Sequence, residues 1–239
     1  MSVDDARTRI LAAAGPIFAE KGYKNATVRE ICQAATVNVA SVNYYFGDKE
    51  RLYVEAVKHA HPLRDAPQSA PDWPDGTPPR QKLADFLRAM AVPMLGARRE
   101  RWQAQLLARE IMNPSTACRE LVETFFRQRF NLLLAIVSEI LPAGTPDHRR
   151  HLVALSIVAQ FVYFRAGRGV IEMLLGTKEL LEHHRTEQLV DHITSVSFAM
   201  LGLGPPVSEL YASRSMTEPR ECDGTGERRG QAKQVVTKA

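Results

Sequence analysis

The chain has 239 residues with a formal net charge of +4, long enough to bury a sizeable core in one large or two modest domains, and too mildly basic for bulk charge alone to drive nucleic-acid binding. Cys32, Cys118 and Cys222 are far apart and odd in number, which gives neither a zinc spacing nor a disulfide framework, and a reducing cytoplasm is the expected location. Charges interrupt the longest apolar runs and no signal peptide precedes the first helix, so neither export nor membrane insertion is expected.

A first helix is predicted from Asp4 and Asp5 to about Glu20, with Ile10, Leu11, Ala14, Ile17 and Phe18 as its buried stripe and Gly22 as its stop. Thr27 and Glu30 then form a T-x-x-E capping box, so a new helix starts there. Val28, Ile31, Ala34 and Ala35 make its apolar stripe. Thr36, Val37 and Asn38 interrupt the pattern, and Asn38 is a favoured N-cap for a short helix over Val39 to Tyr45. Two helices joined by so short a turn cross steeply, the helix-turn-helix arrangement that places its second helix in a DNA major groove. Gly47 and Asp48 end that helix, and a fourth comes next with Leu52, Tyr53, Ala56, Val57 and Ala60 at helical spacing.

Residues 62–79 hold Pro62, Pro67, Pro71, Pro74, Pro78 and Pro79, which excludes a single helix and predicts a linker, with Trp73 pinning its middle. From 80 to 204 the pattern is helical throughout. Helices are expected over Arg80 to Leu95, Arg98 to Met112, Thr116 to Leu141, Pro146 to Arg165, Val170 to Leu175 and Thr186 to Leu201. The tail, 205–239, lacks apolar periodicity and is expected to be disordered. The fold class is all-α: a helix-turn-helix domain at 1–61 including its connecting helix, and a helical bundle at 80–204.

Gly22-Tyr23, Thr27-Val28, Ile31, Ala34-Ala35, Tyr44-Tyr45-Phe46, Lys49-Glu50 and Leu52 resemble the N-terminal signature of TetR-type transcriptional regulators. The sequence differs at the turn glycine, here Thr36, and at an early tyrosine of the recognition helix, here Asn43. The first change predicts an altered turn and not a broken one; the second supplies an amide suited to the N6 and N7 of adenine. Leu107 to Ser115 and Gln160 to Arg168 are similar to the C-terminal domain of the CecR-like subgroup. The resemblance implies that Val39, Ala40, Ser41, Asn43 and Tyr44 lie at base edges, and that Thr27, Arg29, Tyr45 and Lys49 hold phosphates. Val28 and Asn38 complete the DNA-facing segment.

The resemblance also implies a homodimer through the last two long helices and a small-molecule pocket in the C-terminal bundle. Phe86, Met90, Trp102, Leu106, Phe126, Phe130 and Phe161 are bulky enough to line the pocket, though each also suits an ordinary core. Arg109, Glu110 and Arg165 interrupt apolar helices and need partners or a wet cavity; a structural Glu110 to Arg165 pair and a ligand anchor both fit. Arg168 and Glu172 are spaced as an i,i+4 pair. His183 and His184 read as solvated residues of an exposed connection, and Cys32 as a small buried residue. No nucleophile elbow, P-loop, metal or dinucleotide fingerprint occurs, so neither an enzyme nor a cofactor is expected. The expected function is a ligand-responsive repressor of a near-palindromic, double-stranded DNA operator. The alternatives are an architectural or nucleoid-type DNA binder without an effector and, behind it, a helical enzyme.

Overall fold

The computed structural model describes residues 3–61, 71–96 and 100–210, and these are helical with no strand. Helix α1 (Val3–Asn25) breaks at Gly22, which takes φ 74°, and one further turn then runs to Asn25. Helix α2 (Val28–Ala35) starts where Thr27 Oγ1 accepts the Glu30 N–H at 3.2 Å. It ends at Thr36, whose φ of 55° makes it the one non-glycine residue of positive φ among the described residues. The turn therefore keeps its left-handed step without a glycine. Helix α3 (Ala40–Phe46) begins a residue later than expected, although Asn38 Oδ1 still accepts the Ala40 N–H at 2.9 Å. Asp48 caps α4 (Lys49–Ala60) by accepting from Arg51 N at 2.8 Å.

Among the described residues eight further helices come after these: α5 (Pro79–Leu95), α6 (Arg101–Met112), α7 (Thr116–Leu121), α8 (Arg127–Ile140), α9 (Asp147–Ala166), α10 (Arg168–Leu175), α11 (Thr177–His183) and α12 (Thr186–Met200). Two sequence expectations need correction. The single helix expected over 116–141 is interrupted by a π-helical turn at Val122–Phe126, a wide turn that changes the register of α8 relative to α7. The exposed connection expected around His183 is instead largely α11, anchored by buried Leu180. At the C-terminal end a 3₁₀ turn at Val207–Glu209 occupies the start of the expected disordered tail; residues 211–239 of that tail, and 62–70 of the linker, lie outside the described residues. Trp73 Nε1 donates to Asp85 Oδ2 at 3.1 Å and the ring packs on the C-terminal core, so the described part of the linker is tied down.

The two hydrophobic cores do not divide at the linker. The first joins Ile10, Phe18, Ile31, Val42, Leu52 and Val57 of α1–α4 to Leu106, Ala117, Leu121 and Phe125 from beyond it. The second is built from α5, α8, α9 and α12 around Leu87, Leu133, Ile157, Phe161 and Ile193. Helix α6 packs on α1 and α4 on one side and on α9 on the other. It therefore lies between the helix-turn-helix unit and the bundle.

Candidate functional site

The helix-turn-helix presents a polar face with apolar residues beneath it. Val42 and Phe46 of α3 are buried, while Val39, Ala40, Asn43 and Tyr44 are exposed and Ser41 is half-buried. Tyr44 is 77% exposed, a large aromatic surface that intrachain packing leaves uncovered. Tyr45 turns the other way, half-buried against the first core with its ring edge-on to Tyr44 at 4.9 Å. Val28 also packs against that core, so of this pair Thr27 is the exposed member. Arg29 is exposed. Lys49 Nζ lies 4.6 Å from the Tyr23 ring centroid and 3.5 Å from Lys24 O, beside the end of α1. Lys21 pairs with Glu30 across the same edge.

Two adjacent residues of α6 hold the helix-turn-helix unit against the bundle. Arg109 reaches α1, donating from Nε to Ala19 O and from Nη2 to Glu20 O, each at 2.9 Å. Glu110, buried, accepts from the Tyr53 hydroxyl of α4 at 2.5 Å. Its other oxygen accepts from Ser115 Oγ at 2.7 Å, Cys118 N at 3.1 Å and Ser115 N at 3.2 Å. Burial, then the bond to Glu110, push the Tyr53 phenol well above its ordinary value, so it stays a donor at neutral pH. Gly15 of α1 allows closeness here as well: a Cβ on it would lie 2.4 Å from the Trp102 ring of α6.

Beside this junction lies a cavity of about 400 Å³, reached by α4 through His61 and walled by α5 to α9. His61 is buried, stacked on Phe125 at 5.1 Å and edge-on to Phe126 at 4.9 Å. The walls are mostly aliphatic and aromatic. That volume is in the lower part of the range usual for drug-sized ligands, about 300 to 1,000 Å³.

Of the residues expected at a pocket, Phe86, Met90, Glu110, Phe126, Phe130 and Arg165 line this cavity. The other four are placed elsewhere. Trp102 packs on α1, Leu106 is buried in the first core, Phe161 is buried in the second, and Arg109 is spent on the α1 carbonyls. Met94, Leu107, Leu155, Val158, Arg127 and Arg129 also line it, and nothing local in the sequence separates them from other helical residues. Glu110 and Arg165 thus border one space with different partners: Arg165 Nη1 donates to Met94 O at 2.7 Å.

Glu172 Oε1 accepts from Thr177 Oγ1 at 2.9 Å, where a pair with Arg168 was expected. His183 is exposed, with Glu182 3.9 Å away, and no cluster of three or more potential metal-binding side chains occurs among the described residues. Cys32 is buried, and burial raises its thiol, as it does that of Cys118, where Glu110 adds to the effect. Neither environment activates a thiolate. No helix of the described residues is long and apolar enough to cross a membrane.

A helix-turn-helix with an exposed polar recognition face, locked by α6 to a bundle with a ligand-sized cavity, defines a class: bacterial one-component DNA-binding regulators. Residues 10–56 match the family model of bacterial regulatory proteins, tetR family, and residues 79–203, more than half of the chain, match that of the HTH-type transcriptional dual regulator CecR, C-terminal domain. The chain belongs to the tetR family, in the group with a CecR-type C-terminal domain. It is 24% identical over 201 residues to the HTH-type transcriptional dual regulator CecR of Shigella flexneri, covering 80% of this chain and 89% of that one. A 58-residue segment is 33% identical to the transcriptional repressor NicS of Pseudomonas putida, covering 24% of this chain and 27% of NicS. Among solved structures, a TetR-like transcriptional regulator from Rhodococcus sp. RHA1 superposes with a TM-score of 0.57 at 17% identity, covering 82% of this chain and 96% of that one.

Proposed function

We propose that this regulator acts as a homodimer on a near-palindromic operator and is released when a small molecule fills the cavity beside α6. The single observation that carries this reading is the position of His61 and Glu110. Both border the cavity, and each is bound to α4, the one as its C-terminal cap residue and the other through Tyr53. An occupant that prefers a shifted α6 also shifts α4, and the two recognition helices of a dimer then no longer match successive major grooves, about 34 Å apart. By linkage the effector weakens DNA binding by the factor by which DNA weakens effector binding, typically about 1 to 3 kcal/mol of coupling.

On the DNA side, Asn43, Tyr44, Val39 and Ala40 meet base edges, and Thr27, Arg29 and Lys49 hold phosphates. The exposure of all of these but half-buried Lys49 supports this. For the dimer, α9 offers Leu152, Leu155, Ala159 and Tyr163 as an exposed stripe at helical spacing. Helix α12 contributes its outer, mostly small and polar face, since Leu189, Val190, Ile193 and Phe198 are already buried within the chain. Met173, Leu174 and Leu175 of α10, which packs on α9, are exposed as well.

The test is footprinting of the purified protein on DNA from immediately upstream of its own gene, at stated salt with excess competitor, together with its mass by light scattering. A protected near-palindrome bound by a dimer supports the reading. A monomer in solution, or weak salt-sensitive binding without a protected site there and in selection from random DNA, refutes it. Because the Shigella relative is named a dual regulator, activation at some promoters is also expected, with operator placement setting the sign.

A further inference from the structure

The charged groups that border the cavity are spent on the protein itself. Among the described lining residues these are Glu110, Arg127, Arg129 and Arg165, with His61 as a titratable neighbour. Buried Glu110 accepts from the Tyr53 and Ser115 hydroxyls and from the backbone N–H groups of Ser115 and Cys118, which matches the roughly four acceptor positions of a carboxylate. Arg129 donates to Phe125 O at 3.0 Å and Arg165 to Met94 O at 2.7 Å, and each makes a further interaction besides. Arg127 is exposed, so water solvates its charge. The His61 ring is buried against Phe125 and Phe126. A ligand carrying a carboxylate or an ammonium would leave water here and gain a partner only by breaking one of these contacts, a loss that an uncharged molecule escapes. Burial already holds the Arg129 guanidinium below its ordinary value, the mark of a wall that solvates charge poorly. Phe86, Met90, Met94, Leu133 and Val158 add apolar surface to the same wall, and such surface favours a ligand in proportion to the apolar area that the two cover.

We propose that the cavity selects small uncharged molecules with a largely apolar body and discriminates against a charge of either sign. The inference rests on the cavity being the effector site and adds the chemical class that it accepts.

The experiment compares three probes of one chain length and different heads, octanol, octanoate and octylamine, by titration calorimetry on the full-length protein and by release of its bound operator DNA. Octanol is expected to bind at least about tenfold more tightly than either charged probe at neutral pH, and to release DNA at correspondingly lower concentration. Relative to octanol at the same pH, octanoate should weaken by about tenfold for each unit of rise between about pH 6 and 8, because only its protonated form enters. Met90→Lys, which adds an ammonium to the wall, should bring octanoate at least level with octanol. Octanoate or octylamine binding as tightly as octanol to the unaltered protein would overturn the uncharged class, while leaving the cavity as effector site if they release DNA. Octanol binding without release of DNA would overturn the effector reading and uphold the class. Binding by none would overturn both. Should Met90→Lys fail to fold, the pH series on the unaltered protein decides.

Discussion

The Tyr53 hydroxyl of α4 and the Glu110 carboxylate of α6 meet at 2.5 Å in a buried setting, joining two residues 57 positions apart in the chain. A hydrogen bond to a charged group contributes about 1.5 to 3 kcal/mol. Tyr53→Phe should therefore lower the unfolding free energy by that order, measured by urea denaturation, with faster hydrogen exchange of α4 amides. A loss below about 0.5 kcal/mol would show that the pair is not a principal tie between the two units.

Gly15 and Trp102 make a second tie that sterics alone can test. A methyl at position 15 would stand 2.4 Å from the indole ring, so Gly15→Ala forces α6 away from α1. The expected cost is about 1 to 3 kcal/mol, as for other overpacked cores, and the emission of Trp102 should change with it.

Thr36 carries a β-branched side chain at φ 55°, a region that costs non-glycine residues about 1 to 2 kcal/mol. Glycine removes that cost but gives the unfolded chain more freedom, an offset of about 0.4 to 1 kcal/mol. Thr36→Gly should leave the helix-turn-helix intact and raise the melting temperature slightly. A lower melting temperature would mean that the threonine side chain makes a compensating contact.

Under the proposed function Asn43 reads a base and Lys49 holds a phosphate. Asn43→Ala should reduce discrimination between operator and mismatched DNA by about 1 to 3 kcal/mol at one base position. Lys49→Ala should instead weaken all sequences alike and lower the salt slope by about one. A uniform loss across sequences for Asn43→Ala would move Asn43 to the phosphate-holding set.

His192 predicts a pH dependence. Burial, with His184 nearby, holds its imidazole below the ordinary 6.5, so the unfolded chain takes up a proton at a higher pH than the folded one. The stability that this group contributes is present above about pH 6.5 and is lost as pH falls toward its folded-state value. In thermal melts between pH 7.5 and 5, His192→Gln should flatten part of the decline. An unchanged profile would assign the decline to other groups.

Much of the fold was legible because it is written within a turn of chain. Thr27 and Glu30, Asn38 and Ala40, Asp48 and Arg51 are capping relations over two or three positions, and Gly22 marks its break by its own φ. The face of α3 was legible for the same reason: with Val42 and Phe46 turned inward, helical geometry puts Asn43 and Tyr44 outward. The π turn at Val122–Phe126 was not legible, since its residues have no local signature and only packing selects the wider turn.

What the sequence by itself determined about this protein is its family, most of its helices and the exposed face of α3. What only the tertiary structure decided is which apolar and charged side chains border empty space. Arg109, Glu110 and Arg165 look alike in the sequence, as charges on apolar helices. Yet Arg109 is spent on α1 carbonyls 89 and 90 positions away, while Glu110 and Arg165 face the cavity. A cap is fixed by neighbours along the chain, whereas a cavity wall depends on how several helices are rotated against each other. Phe161 in the core and Phe130 at the cavity carry the same side chain, and helix rotation alone makes the difference.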